Sequence, residues 1–244
     1  MEIQQILILS GITLFASFVM SLSGFGFNLI SMGFFTLFLA VREANVLVTF
    51  LMLPIIMVNL IILRKDIRLK SVLPVLIAAV AGLPIGVWGL VRLNERVLLV
   101  GLGAIILAAI VVNEITARGK ARKPNIPAGI VAGLIGGLFG GAYAATGPPV
   151  VFYFSATMEN KRELKAALLL VFFAQGFIRL IILAAGGIVS AGLAKSGLIL
   201  LTPMVIGTVA GIILFNHVSS VWMRRIIQVI LSISAVTLII RAVV

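Results

Sequence analysis

Gly136-Gly137-Leu138-Phe139-Gly140-Gly141-Ala142-Tyr143-Ala144-Ala145-Thr146-Gly147-Pro148-Pro149 separates two apolar stretches, 127–143 and 148–157, and its reading decides the fold. Glycine frees the backbone and proline removes a donor, so continuous helix is not expected across the run. Ser21-Leu22-Ser23-Gly24-Phe25-Gly26 does the same between 6–22 and 27–41. The other apolar stretches fall at 46–63, 71–91, 97–114, 164–189, 196–216 and 221–243. A helix needs about 20 apolar residues to cross a bilayer core of roughly 30 Å. Members of the two interrupted pairs are short for that, so each pair is either one broken span or a hairpin that leaves on the side it entered.

The charges choose between these. With hairpins, one side receives Arg64, Lys65, Arg68, Lys70, Arg118, Lys120, Arg122, Lys123, Lys161, Arg162, Lys165, Arg224 and Arg225. The other receives only Arg42, Arg92, Arg96, Lys195 and Arg241. Thirteen against five becomes ten against eight if each pair is one broken span, so the positive-inside rule favours hairpins. Two halves of five segments then run in opposite directions: 1–116, a basic cytoplasmic linker 117–125, and 126–244. The expected fold is an all-α polytopic membrane protein of two inverted repeats, each opening with a broken or re-entrant hairpin, with the N-terminus outside the inner membrane.

Traces of duplication agree. Asn59-Leu60-Ile61-Ile62-Leu63 matches Arg179-Leu180-Ile181-Ile182-Leu183 at an offset of 120, and Arg42-Glu43 matches Arg162-Glu163 at the same offset. Gly82 and Gly86 resemble Gly207 and Gly211 with a few residues of drift. Inverted repeats with matching interruptions mark secondary transporters, whose site lies where the interruptions meet.

Composition narrows the function. The chain of 244 residues is 62% apolar and 11% charged, which excludes a soluble globular domain and a disordered one. Its net charge of +12 sits in short clusters between apolar runs, so it reports orientation and not a nucleic-acid partner. There is no cysteine, and His217 is the only histidine, so thiolate, haem and His-rich metal sites are excluded and no cofactor is expected. Met1-Glu2-Ile3-Gln4-Gln5 lacks the basic region of a cleavable signal, and the first apolar run is read as a membrane segment.

Arg179 is the one Lys or Arg deep inside an apolar segment. Its burial costs roughly 2.5–3.5 kcal/mol on insertion scales unless compensated, and a bound anion would compensate. The competing reading is a structural arginine satisfied by carbonyls of a broken helix. Gln175 lies one turn earlier on the same face, and Asn59 is the repeat mate. Half-helices starting after the breaks would offer N–H groups near Ser23, Gly24, Phe25, Gly26 and Asn28, and near Gly140, Gly141 and Thr146. Close helix packing is the competing role for the glycines. Tyr143 is better placed to line a cavity than Tyr153. His217, Trp88 and Trp222 read as interfacial residues. All seven acids, Glu2, Glu43, Asp66, Glu95, Glu114, Glu159 and Glu163, fall at segment ends or in loops, which disfavours a cation substrate.

At its breaks the chain resembles the TauE/SafE family of sulfite exporters and organosulfonate permeases. The resemblance rests on two similar halves, each opening with a glycine-rich interruption, Ser23-Gly24-Phe25-Gly26-Phe27-Asn28 and Gly136 to Tyr143 followed by Pro148-Pro149. It implies transport of a small sulfur-containing or carboxylated anion, with the lipid bilayer as surroundings and a homodimer left open. The first break is less glycine-rich and has no proline close after it. Two other classes compete with this reading. A channel would use Ser23-Gly24-Phe25-Gly26 as a carbonyl filter, but that needs several copies around an axis. An intramembrane serine protease would pair Ser23 with His217, which requires contact between membrane depth and a helix end.

Overall fold

The computed structural model describes residues 3–23, 26–116, 125–214 and, towards the C-terminus, 229, 232, 233, 235–238 and 240. The helices are α1 (Ile3–Ser23), α2 (Phe27–Phe35), α3 (Val41–Leu63), α4 (Leu69–Arg92), α5 (Glu95–Thr116), α6 (Ile126–Tyr143), α7 (Gly147–Thr157), α8 (Lys161–Ala185) and α9 (Ala191–Leu214). A 3-10 turn, Arg64–Asp66, joins α3 to α4. There is no strand among the described residues. Among the described residues, seven helices are long and apolar enough to cross a bilayer: α1, α3, α4, α5, α6, α8 and α9. The nine residues of α2 and eleven of α7 reach only about 14 and 16 Å. Leu7, Ile61, Ile77, Ile85, Trp88, Val131 and Ile213 are exposed on the outside of the bundle. So much apolar surface would drive association in water, whereas lipid accepts it. The chain is a multi-pass membrane protein.

The local sequence sets the helix ends. Asn125 Oδ1 accepts from the Ala128 N–H at 3.4 Å to start α6, with Pro127 in the first turn where no donor is needed. Asn160 Oδ1 accepts from the Arg162 N–H at 2.9 Å to start α8. The first break closes at Gly26, whose φ of 105° is a left-handed conformation open to glycine. The second break falls later than the glycine run suggests. Helix α6 passes unbroken through Gly136–Gly141 and ends at Tyr143, where Ala144 takes a φ of 58°. The N–H groups of Ala144 and Ala145 then return to the carbonyls of Gly140 and Phe139 at 3.0 and 3.3 Å.

Packing explains why those glycines stay helical. A Cβ at Gly133, Gly137 or Gly141 would collide with the carbonyls of Val75, Ala79 or Leu83 on α4. In return, a Cβ at Gly82 or Gly86 would strike the carbonyls of Leu134 or Leu138 on α6. Five glycines at four-residue spacing thus let two backbones touch, the small-residue packing that holds helices together where lipid removes the hydrophobic drive. Helices α1 and α9 repeat the arrangement. Gly207 and Gly211 sit against the carbonyls of Leu14 and Phe18 and against Ser17 and Ser21. Thr13, Ser17 and Ser21 are fully buried and lie 120 residues before Gly133, Gly137 and Gly141. Between these two tight pairs, α3 crosses α8, with Gly176 seated on Met52 and Leu53.

Two ion pairs tie the α3–α4 connection to the start of α8. Arg68 Nη2 lies 2.5 Å from Glu163 Oε1, and Arg162 Nε lies 3.2 Å from Asp66 Oδ2. Both arginines are exposed, so each pair contributes little, of the order of 0–1 kcal/mol. A Glu163→Gln variant is expected to lose no more than about 1 kcal/mol of stability; a drop in thermal midpoint as large as that of a core truncation would contradict this. On α3, Arg42 caps the end of α4, donating from Nε to the Leu90 carbonyl at 3.0 Å and from Nη2 to that of Val91 at 2.7 Å.

Gly24, Phe25, most of the linker 117–125, His217, Trp222, Arg224, Arg225 and Arg241 lie outside the described residues, as does the side chain of Ser23. The tenth segment is described at only a few positions.

Candidate functional site

Arg179 is in the fifth turn of α8 and 2% exposed. Its guanidinium donates from Nη1 to the Gly140 carbonyl, in the last turn of α6, and from Nη2 to Thr49 Oγ1 on α3. Its Nε has no protein partner among the described residues. Neither partner is an anion, and no carboxylate among the described residues pairs with Arg179. The carbonyl of a broken helix does receive this arginine, as the structural reading requires, but a carbonyl and a hydroxyl leave a whole positive charge uncompensated in the core.

Around that charge the polar groups are closely tied. Gln175, one turn before Arg179, accepts from Thr146 Oγ1 and donates from Nε2 to the Ala79 carbonyl at 2.8 Å. Its amide is therefore fixed in orientation. Thr49 passes its own proton to the Asn45 carbonyl at 2.6 Å. A Cβ at Gly140 would collide with Thr146 Oγ1 and Gln175 Oε1, so a larger residue there would have to displace this hydrogen-bonded pair. One point thus gathers α3, α4, α6, α8 and the start of α7.

The two interruptions meet beside it. Asn28 Nδ2, on α2, donates to the Ala144 carbonyl at 2.5 Å, and Asn45 Nδ2, on α3, to that of Ala142 at 2.9 Å. Asn45 thus satisfies a carbonyl in the last turn of α6 and Asn28 that of its cap Ala144, while Arg179 adds a second donor to the Gly140 carbonyl that the Ala144 N–H already reaches. A cavity of about 20 Å³ lies between the breaks, lined by Gly26, Asn28, Ala144, Ala145, Gly147 and Phe172 among others. That is room for about one water.

The anticipated residues are placed unequally. Arg179, Gln175, Thr146 and Gly140 are in mutual contact, while Asn28 and Gly26 border the cavity between the breaks. Gly140 and Gly141 precede the break and offer carbonyl and packing surface, so the free N–H groups of α7 reduce to those next to Thr146, since Pro148 and Pro149 have none. Asn59 is buried but donates to Ile55 of its own helix at 2.9 Å. Tyr143 sets its hydroxyl against Gly101 of α5, whereas Tyr153 lines a larger cavity of about 370 Å³ with Arg68, Ser71, Thr157 and Glu163. Gly24 lies outside the described residues. Sequence reasoning missed Thr49 and Asn45, although a polar pair one turn apart in an apolar helix was a signal for both.

The acids keep to the periphery. Glu43, Glu95, Glu114 and Glu159 are exposed, and Asp66 and Glu163 are engaged in the ion pairs described above. No cluster of metal-ligating side chains occurs among the described residues.

No curated relative and no solved structure matches the chain. The family model of the sulfite exporter TauE/SafE matches residues 9–238, which takes in both breaks, both glycine-packed helix pairs and Arg179. With seven apolar helices long enough to cross a bilayer and that match over nearly its whole length, the chain belongs to the TauE/SafE sulfite exporter family of membrane transporters.

Proposed function

We propose that the chain is a secondary transporter of a small anion, sulfite or a sulfonate, working by alternating access across a prokaryotic inner membrane with Arg179 as the charge partner. The observation that carries this reading is the buried guanidinium without a counter-ion among the described residues. An uncompensated cation in the membrane core is expensive, and an anionic substrate is the one species that removes the cost while being transported. The absence of described acids near it argues against a cation.

The mechanism calls for two inverted repeats, and the helix packing supports that reading. Packing of α4 on α6 corresponds to packing of α9 on α1, and that of α4 on α8 to that of α9 on α3, as exchange of two five-helix halves would require. The glycine contacts correspond residue by residue: Gly82 and Gly86 meet Leu134 and Leu138, and Gly207 and Gly211 meet Leu14 and Phe18, their counterparts 120 residues earlier. The small cavity between the breaks suits a closed state in which neither side has access. The thirteen-to-five distribution of basic residues supports a cytoplasmic 117–125 linker and an N-terminus outside.

A thermal-shift panel of sulfite, sulfate, sulfonates, carboxylates and phosphate tests the substrate class, since binding stabilises by RT ln(1 + [L]/Kd). Sulfite or a sulfonate should raise the midpoint at concentrations where phosphate does not. Equal shifts by every anion would reduce the reading to general salt stabilisation. Saturable flux in proteoliposomes supports a transporter, and non-saturating single-channel currents would favour a channel.

A further inference from the structure

The described helices around Arg179 carry their other charges towards their ends. Arg42 and Glu43 open α3, Lys70 opens and Arg92 ends α4, Glu95, Arg96 and Glu114 lie at the ends of α5, and Lys161, Arg162, Glu163 and Lys165 fall in the first two turns of α8. Helices α1, α2, α6 and α7 have no charged residue, and their tyrosines, Tyr143 and Tyr153, pack towards Gly101 and Gly129. One guanidinium offsets one negative charge. A doubly charged anion on Arg179 would leave a net negative charge in the core, and an uncompensated buried anion is costly just as a lone cation is. The charge balance therefore selects a monoanion.

Asn28, which borders the cavity between the breaks, adds a second requirement. Its Nδ2 is committed to the Ala144 carbonyl at 2.5 Å, which fixes the amide, and its Oδ1 is buried with no partner among the described residues. Asn45 repeats the pattern one turn before Thr49, with Nδ2 on the Ala142 carbonyl and Oδ1 buried and unpartnered. A buried acceptor without a donor is costly, and the cavity of about 20 Å³ has room for one water to serve Asn28 in the closed state. A ligand that displaces this water has to bring its own O–H. Extending the anion-transport reading on which this rests, we propose that the carried species is a singly charged oxyanion that keeps one acidic proton, hydrogensulfite in preference to the sulfite dianion or a sulfonate, with its charge on Arg179 and its O–H donated to Asn28 Oδ1. The carbonyls that hold the two side chains, Gly140 and Ala144, are about one helical turn apart at the end of α6. Each hydrogensulfite that crosses carries one proton and, on a more alkaline side, releases it to leave sulfite. Transport then follows a pH gradient without a carboxylate relay.

The test measures sulfite flux by the full chain in proteoliposomes across neutral pH, where sulfite takes up its proton, with methanesulfonate, which has no proton to lose there, as competitor. Half-saturation in total sulfite should rise about tenfold per pH unit above that ionisation, in step with the falling hydrogensulfite fraction, while the inhibition constant of methanesulfonate stays within about twofold. Methanesulfonate should bind at least about tenfold more weakly than hydrogensulfite, because it leaves an acceptor unpaired. In Asn28→Leu, which has similar volume and no oxygen, that difference should shrink to about threefold or less. The wild-type pH series decides the matter even where this variant does not fold. Half-saturation in total sulfite that does not change with pH, a methanesulfonate constant that climbs in parallel, or undiminished discrimination in folded Asn28→Leu would overturn the proposal. If those results came with saturable flux that Arg179→Ala abolishes, the transport reading would stand without it. Absence of saturable flux in the wild type would overturn both.

Discussion

Replacing Arg179 with alanine is expected to reduce anion flux by about 100-fold or more while the protein still folds. The two halves of this result have separate causes. Flux falls because the substrate loses its only described deep cation, and charge-assisted bonds contribute about 1.5–3 kcal/mol each. The fold survives because neither partner of Arg179 is stranded. The Gly140 carbonyl keeps the Ala144 N–H at 3.0 Å, and Thr49 keeps the Asn45 carbonyl at 2.6 Å. Removing an uncompensated buried charge also removes a burial cost of roughly 2.5–3.5 kcal/mol, so the thermal midpoint should be unchanged or raised. Arg179→Lys retains the charge and loses the paired donors, so it should retain measurable but strongly reduced flux. Flux and thermal midpoint measured on the same preparations decide the matter. A lowered midpoint with flux intact in both variants would show the arginine to be a structural cap.

The largest effect on the fold is expected at Gly137. A Cβ there would fall on the Ala79 carbonyl and within 3.0 Å of Gly82 Cα, both backbone atoms of α4 that no rotamer change can move. Gly137→Leu therefore has to separate α4 from α6 along their contact. That loses dispersion and carbonyl contacts over several turns, and overpacking of a tight core costs 1–3 kcal/mol or more even for smaller insertions. The variant should fail to accumulate as a monodisperse species in detergent. Gly11→Ala is the control: a Cβ at Gly11 meets nothing within 4 Å, so it should be neutral or gain about 0.5–1 kcal/mol from helix propensity. Size-exclusion profiles and midpoints of the two variants separate a close-approach effect from a general intolerance of glycine replacement.

Much of the helix layout was legible because lipid imposes a length and a polarity on every span. The apolar stretches 46–63, 71–91 and 97–114 lie inside α3, α4 and α5, and the breaks near 24 and 146 interrupt the chain where small residues cluster. The glycine run at 136–141 was harder. Its freedom from side chains serves either a break or a close contact, and only the position of α4 decides that Gly137 and Gly141 are spent on packing while Ala144 makes the turn. The matching stripe Thr13, Ser17 and Ser21 escaped notice because hydroxyl side chains, unlike glycines, do not stand out beside Ser21-Leu22-Ser23 as packing residues. Within the site, Arg179 and Gln175 could be read from depth and spacing. Thr49 could not, since its role depends on α3 crossing α8 at that height. Tyr143 and Tyr153 exchange roles for a similar reason: their directions follow from the packing against α5 and α6, which no local pattern encodes.

Transport as proposed requires that the guanidinium of Arg179, the buried one among the described residues, binds the substrate. Titration calorimetry of sulfite into the purified wild type and into Arg179→Gln tests it most directly. Saturable binding to the wild type, and none to a variant whose thermal midpoint without ligand is at least as high, is the predicted result. Sulfite binding of equal affinity in both proteins would contradict it.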